Sequence, residues 1–415
     1  MLINSSKVRD LLTLLASFIL IRFAFIYFQP SSAISFDVQS FGYWLDVYHK
    51  GQNPYISGAR LNYPPVWLQI LILLSKTATF LDLSFTSVLQ CFLILAEALT
   101  LVLVYLLVWK VTQKSPFTAV LYGIVLNPIS IFQVCQHLQF DILVSLSLLG
   151  SLLFLIKWHS DGNSIDWLIA CALVGIGIVT KVAPIFFVPL LCVRIRNLGW
   201  KERTLGVLLV FAPLVFGLSI LASVGHQGNF VRSLEYRSAP GYFGFSGLFS
   251  MLGFDTLLPW YQLAFNLICV IQFVGFASYF SLRKSISLSE LVLLPFFLFL
   301  SVITLAPGYG PQYIMWILPL AVVSYSILRD SSWRVFLIAA YAVTAITYCI
   351  EYALLPSHGE FLTKLTASPV LELVGQTLSS STAQTLLRLP LFLVYLAVSA
   401  CGFWSLKSNH RTPVT

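Results

Sequence analysis

An all-α, polytopic membrane protein of about 12–13 transmembrane or re-entrant helices is predicted by three observations. The 415-residue chain is 58% hydrophobic and only 10% charged, where soluble domains carry about 25% charged residues. Its mean hydropathy is +0.88. Its basic residues sit in short stretches between long apolar runs, the pattern that orients membrane helices. A cytosolic enzyme, a disordered chain and a secreted disulfide scaffold are thereby excluded. The net charge of +8 reads as orientation signal, so membrane lipids are expected partners and nucleic acid is not. Seven cysteines are scattered without a CxxC spacing, which implies neither a disulfide framework nor a zinc site.

About 18 apolar residues cross the hydrocarbon core. On that criterion spans are predicted over 10–28, 86–109, 115–134, 139–157, 165–181, 203–224, 259–282, 289–306, 311–328, 333–352 and 387–406, with shorter apolar segments at 64–80 and 182–193. The first span follows Lys7 and Arg9 and is expected to act as a retained signal anchor. Lys7/Arg9, Lys110/Lys114, Lys157, Arg194/Arg196/Lys201/Arg203, Arg283/Lys284, Arg329/Arg334 and Lys407/Arg411 then share one face, the cytoplasmic one by the positive-inside rule. One parity conflict remains. With 29–63 outside and Lys110 inside, either 64–80 dips in without crossing or Lys110 breaks the rule.

The other face collects 29–63, the turn 135–141, Lys181–Pro184, 225–258, 353–386 and Ala306–Tyr313. Polar residues gathered at one surface point to an active site there rather than to a mid-membrane path. In the first loop, Phe41, Trp44, Leu45 and Tyr48 form an apolar stripe at helical spacing, with Asp46 and His49 off it, which predicts an interfacial helix. Asp37 stands at its start. It is either a base able to take a proton from a bound hydroxyl or a solvated acid favoured by the helix dipole.

Gln136-His137-Leu138-Gln139-Phe140-Asp141 puts several polar groups and an acid between two apolar spans. That arrangement is costly unless the groups are partnered, structurally or in function. His137 and Asp141 are four apart, too few ligands for a metal site. Lys181 sits on the face that the orientation rule leaves poor in cations, so it either snorkels or meets a phosphate. The loop 225–258 carries Arg232, Tyr236 and Arg237; the guanidinium groups suit bidentate phosphate contact, to a substrate or to lipid headgroups. Arg22 and Glu97 lie deepest within the spans and are expected to form a buried pair.

An acid opening the first outer loop, Gly51-x-x-Pro54-Tyr55, Asn62-Tyr63-Pro64-Pro65, His137-x-Gln139-Phe140-Asp141 and Thr180-Lys181-x-x-Pro184 occur in that order. In these motifs the chain resembles the GT-C superfamily of integral membrane glycosyltransferases, most of all the bacterial polyprenol-phosphate-mannose-dependent mannosyltransferases. It is also similar to the dolichol-phosphate-glucose-dependent glucosyltransferases. The resemblance covers about residues 8–250, with Pro311-Gln312-Tyr313 beyond it. Two departures stand out: Gln136 precedes the histidine where relatives often have glycine, and Asp141 replaces an asparagine.

The resemblance implies transfer of a hexose, mannose first, from a polyprenyl-phosphate-linked donor to a lipid-linked or glycan acceptor at the extracytoplasmic face. It maps Asp37 as catalytic base, Lys181, Arg232, Tyr236 and Arg237 to the donor phosphate, and Tyr63, His137, Gln139, Asp141, Gln312 and Tyr313 to substrate. Neither metal nor cofactor is expected: Asp46, nine residues from Asp37, is a poor match to the paired acids of metal-dependent relatives. Residues 1–257, with outer loops 29–63 and 225–257, are expected to form the catalytic module, and 258–415 a C-terminal set of helices. A bacterial plasma membrane is the expected location, with the endoplasmic reticulum as alternative. A single displacement by one base implies inversion at the sugar. The competing class is a transporter or flippase for lipid-linked sugars, which often shows internal repeats and interrupted helices.

Overall fold

The computed structural model describes residues 5–30, 35–55, 61, 63–223, 244–283, 286–308, 310–328, 331–355 and 361–409. Most of these are helical, and no strand occurs among them. Among the described residues, seven helices are long and apolar enough to cross a membrane, an eighth span is a bent pair, and four shorter apolar helices accompany them. With Trp200–Ser223 they make up the predicted set of hydrophobic helices. The chain is a multi-pass integral membrane protein.

The first four helices are α1 (Ser5–Phe28), α2 (Phe36–His49), α3 (Pro65–Leu81) and α4 (Phe85–Thr112). The predicted interfacial helix is α2, N-capped by Ser35, whose hydroxyl accepts from the Val38 amide. Such a cap satisfies one of the orphan amides of a helix start. Phe41, Trp44 and Leu45 of its stripe are buried, but Tyr48 is exposed. Pro65 opens α3 at its first position and Asp82 closes it in the left-handed conformation.

The parity conflict resolves in favour of a segment that does not cross. Helix α3 begins beside the turn that carries His137, with Trp67 stacked on Phe140 at 4.1 Å between ring centroids. Three residues after α3 ends, α4 starts, and its Gln90 donates to the Cys135 carbonyl at 2.8 Å. Both ends of α3 therefore lie at the same end of the bundle. Helix α4 then runs the length of the bundle to the other end, where Tyr105 donates to the Lys7 carbonyl at 3.1 Å and Lys7 sits 4.0 Å from the Trp109 ring. Lys110 therefore lies at the same end of the bundle as Lys7.

The span predicted over 115–134 is broken. It consists of α5 (Phe117–Val125) and α6 (Pro128–His137), bent by 44°, each ending in a wider π-helical turn. Asn127 accepts from the Ile129 amide at 2.9 Å and Pro128 takes the first position of α6, so the new helix is started while the old one loses its carbonyl partners. Arg22 supplies those partners. Its Nη1 donates to the Val125 carbonyl at 2.8 Å and its Nη2 to the Ile124 carbonyl at 3.0 Å and to Ser130 at 2.9 Å. The expected pair with Glu97 is present at 2.6 and 3.0 Å. In a bilayer, freed backbone groups persist only where protein satisfies them.

The remaining elements are α7 (Asp141–Asp161), α8 (Ser164–Thr180), a 3₁₀ helix over Ala183–Cys192, α9 (Trp200–Ser223), α10 (Phe245–Met251), α11 (Leu258–Leu282), α12 (Leu288–Leu305), α13 (Ile314–Ile327), α14 (Ser331–Leu354), α15 (Phe361–Thr366), α16 (Pro369–Leu378) and α17 (Ser381–Asn409). Helices α8 and α9 approach backbone to backbone: a Cβ at Gly175 would collide with the Leu209 carbonyl oxygen. Small residues at such crossings are what lets membrane helices pack. Gly175→Ala should therefore cost about 1–3 kcal/mol by overpacking. Gly42→Ala, where a Cβ meets nothing within 4 Å, should be neutral or stabilising. Thermal unfolding of the two variants in detergent checks the contrast.

Candidate active site

The site is built around one turn, residues 137–141, between α6 and α7. Leu138 there takes the left-handed conformation, φ +56°, unusual for a non-glycine residue, and it is buried. The reversal sends His137 and Gln139 to one side and Asp141 to the other. On the first side, His137 Nε2 meets Asp37 Oδ2 at 2.6 Å, and the Gln139 amide donates to the same oxygen. Ser35, which caps α2, donates to the His137 carbonyl at 2.9 Å, tying the start of α2 to the turn. Asp37 keeps 28% of its side chain exposed while His137 keeps 4%, so the acid reaches solvent and its holder does not.

Behind His137 stands Tyr352 of α14, fully buried. Its hydroxyl lies 2.6 Å from His137 Nδ1 and accepts from the Gln133 amide at 2.6 Å. One consistent assignment runs Gln133 N–H to Tyr352, Tyr352 O–H to Nδ1, and Nε2–H to Asp37, which makes His137 Nε2 a donor to the carboxylate. The next residue, Glu351, forms a buried pair with Arg388 at 2.6 and 3.1 Å, anchoring α14 to α17 beside this chain of bonds. Tyr352→Phe removes the hydroxyl and leaves the rings stacked. About tenfold loss of activity with the fold retained is expected, as for one hydrogen bond to a positioned group, and steady-state kinetics beside a melting curve check it.

On the other side of the turn, Lys181 donates to both Asp141 oxygens at 2.7 and 2.9 Å, and Trp316 donates to Oδ1 at 2.5 Å. Lys181 does not snorkel. Its ammonium lies among four rings, 4.7 Å from Tyr313, 5.2 Å from Phe140, 5.3 Å from Trp316 and 5.6 Å from Tyr63, distances at which ring faces attract a cation. Tyr63, Lys181, Gln312, Tyr313 and Trp316 line one cavity of about 360 Å³, the size of a small-ligand pocket. Tyr55 donates to the Tyr63 carbonyl at 3.4 Å, and burial pushes its phenol above the ordinary value, so it stays a donor at neutral pH.

The structure thus brings Asp37, His137 and Gln139 into one cluster, and Tyr63, Asp141, Lys181, Gln312 and Tyr313 into the adjoining one. Asp141 has no exposed surface and holds Lys181; it does not line the cavity. Arg232, Tyr236 and Arg237 lie outside the described residues, as does Asn62. No group of three or more His, Cys, Asp or Glu able to hold a metal occurs among the described residues. Tyr352, Gln133 and Trp316 are additions. Trp316 follows Tyr313 by one helical turn and stacks on it at 4.3 Å, a spacing that places both on one face. An acid within an apolar span, Glu351, was the available signal for Tyr352.

Residues 65–224 match the family model described as Dolichyl-phosphate-mannose-protein mannosyltransferase. The matched stretch includes the 137–141 turn and Lys181 but begins after Asp37 and Tyr63, and over it the resemblance to membrane glycosyltransferases is borne out. No match was found among curated proteins. Among solved structures, ArnT from Cupriavidus metallidurans, bound to undecaprenyl phosphate, is similar with a TM-score of 0.48 and 13% identity, over 94% of this chain and 77% of that chain.

Proposed function

We propose that this chain is a membrane glycosyltransferase that moves a hexose, mannose first, from a polyprenyl-phosphate-linked donor to a lipid-linked or glycan acceptor at the extracytoplasmic face. The observation that carries the reading is the pairing across a single turn: a partly exposed carboxylate held by His137 and Gln139, and a cavity-lining ammonium held by Asp141. The family match over residues 65–224 supports the donor class. The proposal assigns Asp37 as the base. An acceptor hydroxyl attacks the anomeric carbon, its proton passes to Asp37, and the carbon–oxygen bond to phosphate breaks with the electron pair leaving on polyprenyl phosphate. The transition state has oxocarbenium character, and the leaving phosphate needs cationic donors more than an acid.

Lys181 is the donor-phosphate contact in this reading, with Arg232, Arg237 and Tyr236 joining it from the loop 225–257. Its charge is balanced by Asp141, so it acts as an oriented N–H donor more than as a free cation. Tyr63, Gln312 and Tyr313 line the cavity and are assigned to the sugar, where aromatic faces suit the C–H side of a pyranose. One base opposite the leaving group implies inversion, so a β-linked donor gives an α-linked product. The test is a panel of radiolabelled donors, polyprenyl-phosphate sugars against nucleotide sugars, supplied to membranes containing the protein. Label should reach a product only from the polyprenyl phosphates. Transfer from a nucleotide sugar, or a product that retains the donor's anomeric configuration, would overturn the donor class or the single displacement respectively.

A further inference from the structure

At the end of the bundle away from Asp37, the geometry points to a second binding site, a groove that takes one acyl chain of an anionic phospholipid with its phosphate at Lys114 and Arg334. A cavity of about 610 Å³ runs between α4, α5, α12, α13, α14 and α17. It follows α13 from Ile314 to Ser326, about 18 Å at 1.5 Å per residue, roughly the depth of one leaflet of a ~30 Å hydrocarbon core. Phe296, Ile317, Leu337 and Tyr395 supply apolar wall. Its flank is open: Tyr122 and Ile338, which also line it, are 60% and 53% exposed. A lipid chain can therefore enter sideways from the bilayer.

The polar residues of this groove gather at one end. Thr112, Lys114, Ser115, Ser326 and Arg334 line that end, which is the Lys7 end of the bundle, since Ser115 donates to Asp10 at 3.3 Å. Arg334 is held in place by its Nε bond to the Leu328 carbonyl at 2.6 Å and by the Tyr325 ring at 5.7 Å. Among the described residues neither Lys114 nor Arg334 is paired with a carboxylate, whereas Arg22, Lys181 and Arg388 each are. Two cations above an apolar slot, without a carboxylate partner among the described residues, complement a phosphodiester with a net negative headgroup and disfavour a choline headgroup. The same α13 carries Trp316 to Asp141, so a chain seated in the groove braces the helix that completes the site.

The experiment uses the full chain in nanodiscs made from equal parts phosphatidylglycerol and phosphatidylcholine, with native mass spectrometry counting the lipids retained on release. Preferential retention of phosphatidylglycerol is expected. Lys114→Gln with Arg334→Gln should weaken that retention about thirtyfold, the effect of removing two basic groups at a membrane surface. The charge-conserving pair Lys114→Arg with Arg334→Lys should keep it, which separates lost charge from lost fold. Ala321→Trp, which fills the groove wall, should lower retention of phosphatidylglycerol without touching either cation. Equal retention of the two lipids by the native protein, or undiminished phosphatidylglycerol binding in the neutralised pair, would overturn the assignment.

Discussion

Asp37→Asn is expected to lower the transfer rate by about 10²–10⁴-fold, the range by which a positioned general base accelerates a reaction, while leaving the protein folded and abundant. Asparagine keeps the shape and still accepts hydrogen bonds from His137 and Gln139, so the turn 137–141 has no reason to move. What disappears is the only group in that cluster able to take the acceptor's proton as a carboxylate. KM for the donor should change little, because the donor phosphate is assigned to Lys181 on the other side of the turn. Kinetics with purified variant in proteoliposomes, read beside its melting temperature, separates this outcome from a folding defect. Full activity in a well-folded Asp37→Asn protein would remove the base from the mechanism.

Arg22→Met is expected to cost about 3–5 kcal/mol of stability, the penalty for breaking a buried ion pair by removing one partner. The pair is bidentate and both residues are almost without exposure, 0% and 1%. The arginine also satisfies the Ile124 and Val125 carbonyls released by the break between α5 and α6. The variant therefore leaves an unpaired carboxylate, takes the arginine donor from the Val125 carbonyl, and leaves the Ile124 carbonyl with only its longer bonds from the Asn127 amide and the Ser130 hydroxyl at 3.4 Å. Arg22→Met with Glu97→Leu should recover part of the loss, since the charge is gone, but not all of it, since the Ile124 and Val125 carbonyls still lack their arginine donors. Arg22→Lys keeps a charge but loses the planar fork and should fall between. Thermal unfolding in detergent ranks the three, and a double variant as stable as the native protein would show that the carbonyl caps carry nothing.

The membrane class and most span positions were legible because hydropathy is a property of composition and of run length, which tertiary contacts do not alter. Helix α2 and the Arg22–Glu97 pair were legible for related reasons: a stripe at helical period, and two ionisable residues where only mutual pairing is tolerable. The break inside 115–134 was hidden. Asn127-Pro128 looks like ordinary turn chemistry, and the carbonyl donor that stabilises the bend comes from a residue about a hundred positions earlier. The non-crossing path of α3 was equally hidden, since its apolar length is the same whether it crosses or returns.

At the candidate site, local motifs marked Asp37, His137, Gln139 and Lys181, but not which of them meet. The left-handed Leu138 decides that His137 and Asp141 face opposite clusters, and nothing in a leucine announces that conformation. Tyr352, 215 residues from His137, could be brought to it only by the packing of α14, which no local pattern encodes.

The central claim is that a sugar–phosphate bond breaks at this site. A donor labelled with one isotope in the sugar and another in the phosphate, placed in proteoliposomes with acceptor lipid, tests it directly. The account predicts that the two labels separate one for one, sugar on the acceptor and phosphate on free polyprenyl phosphate, and that Asp37→Asn stops the separation. Both labels crossing the bilayer together on intact donor, at the same rate in the native protein and the variant, would contradict it and identify a lipid-linked sugar transporter instead.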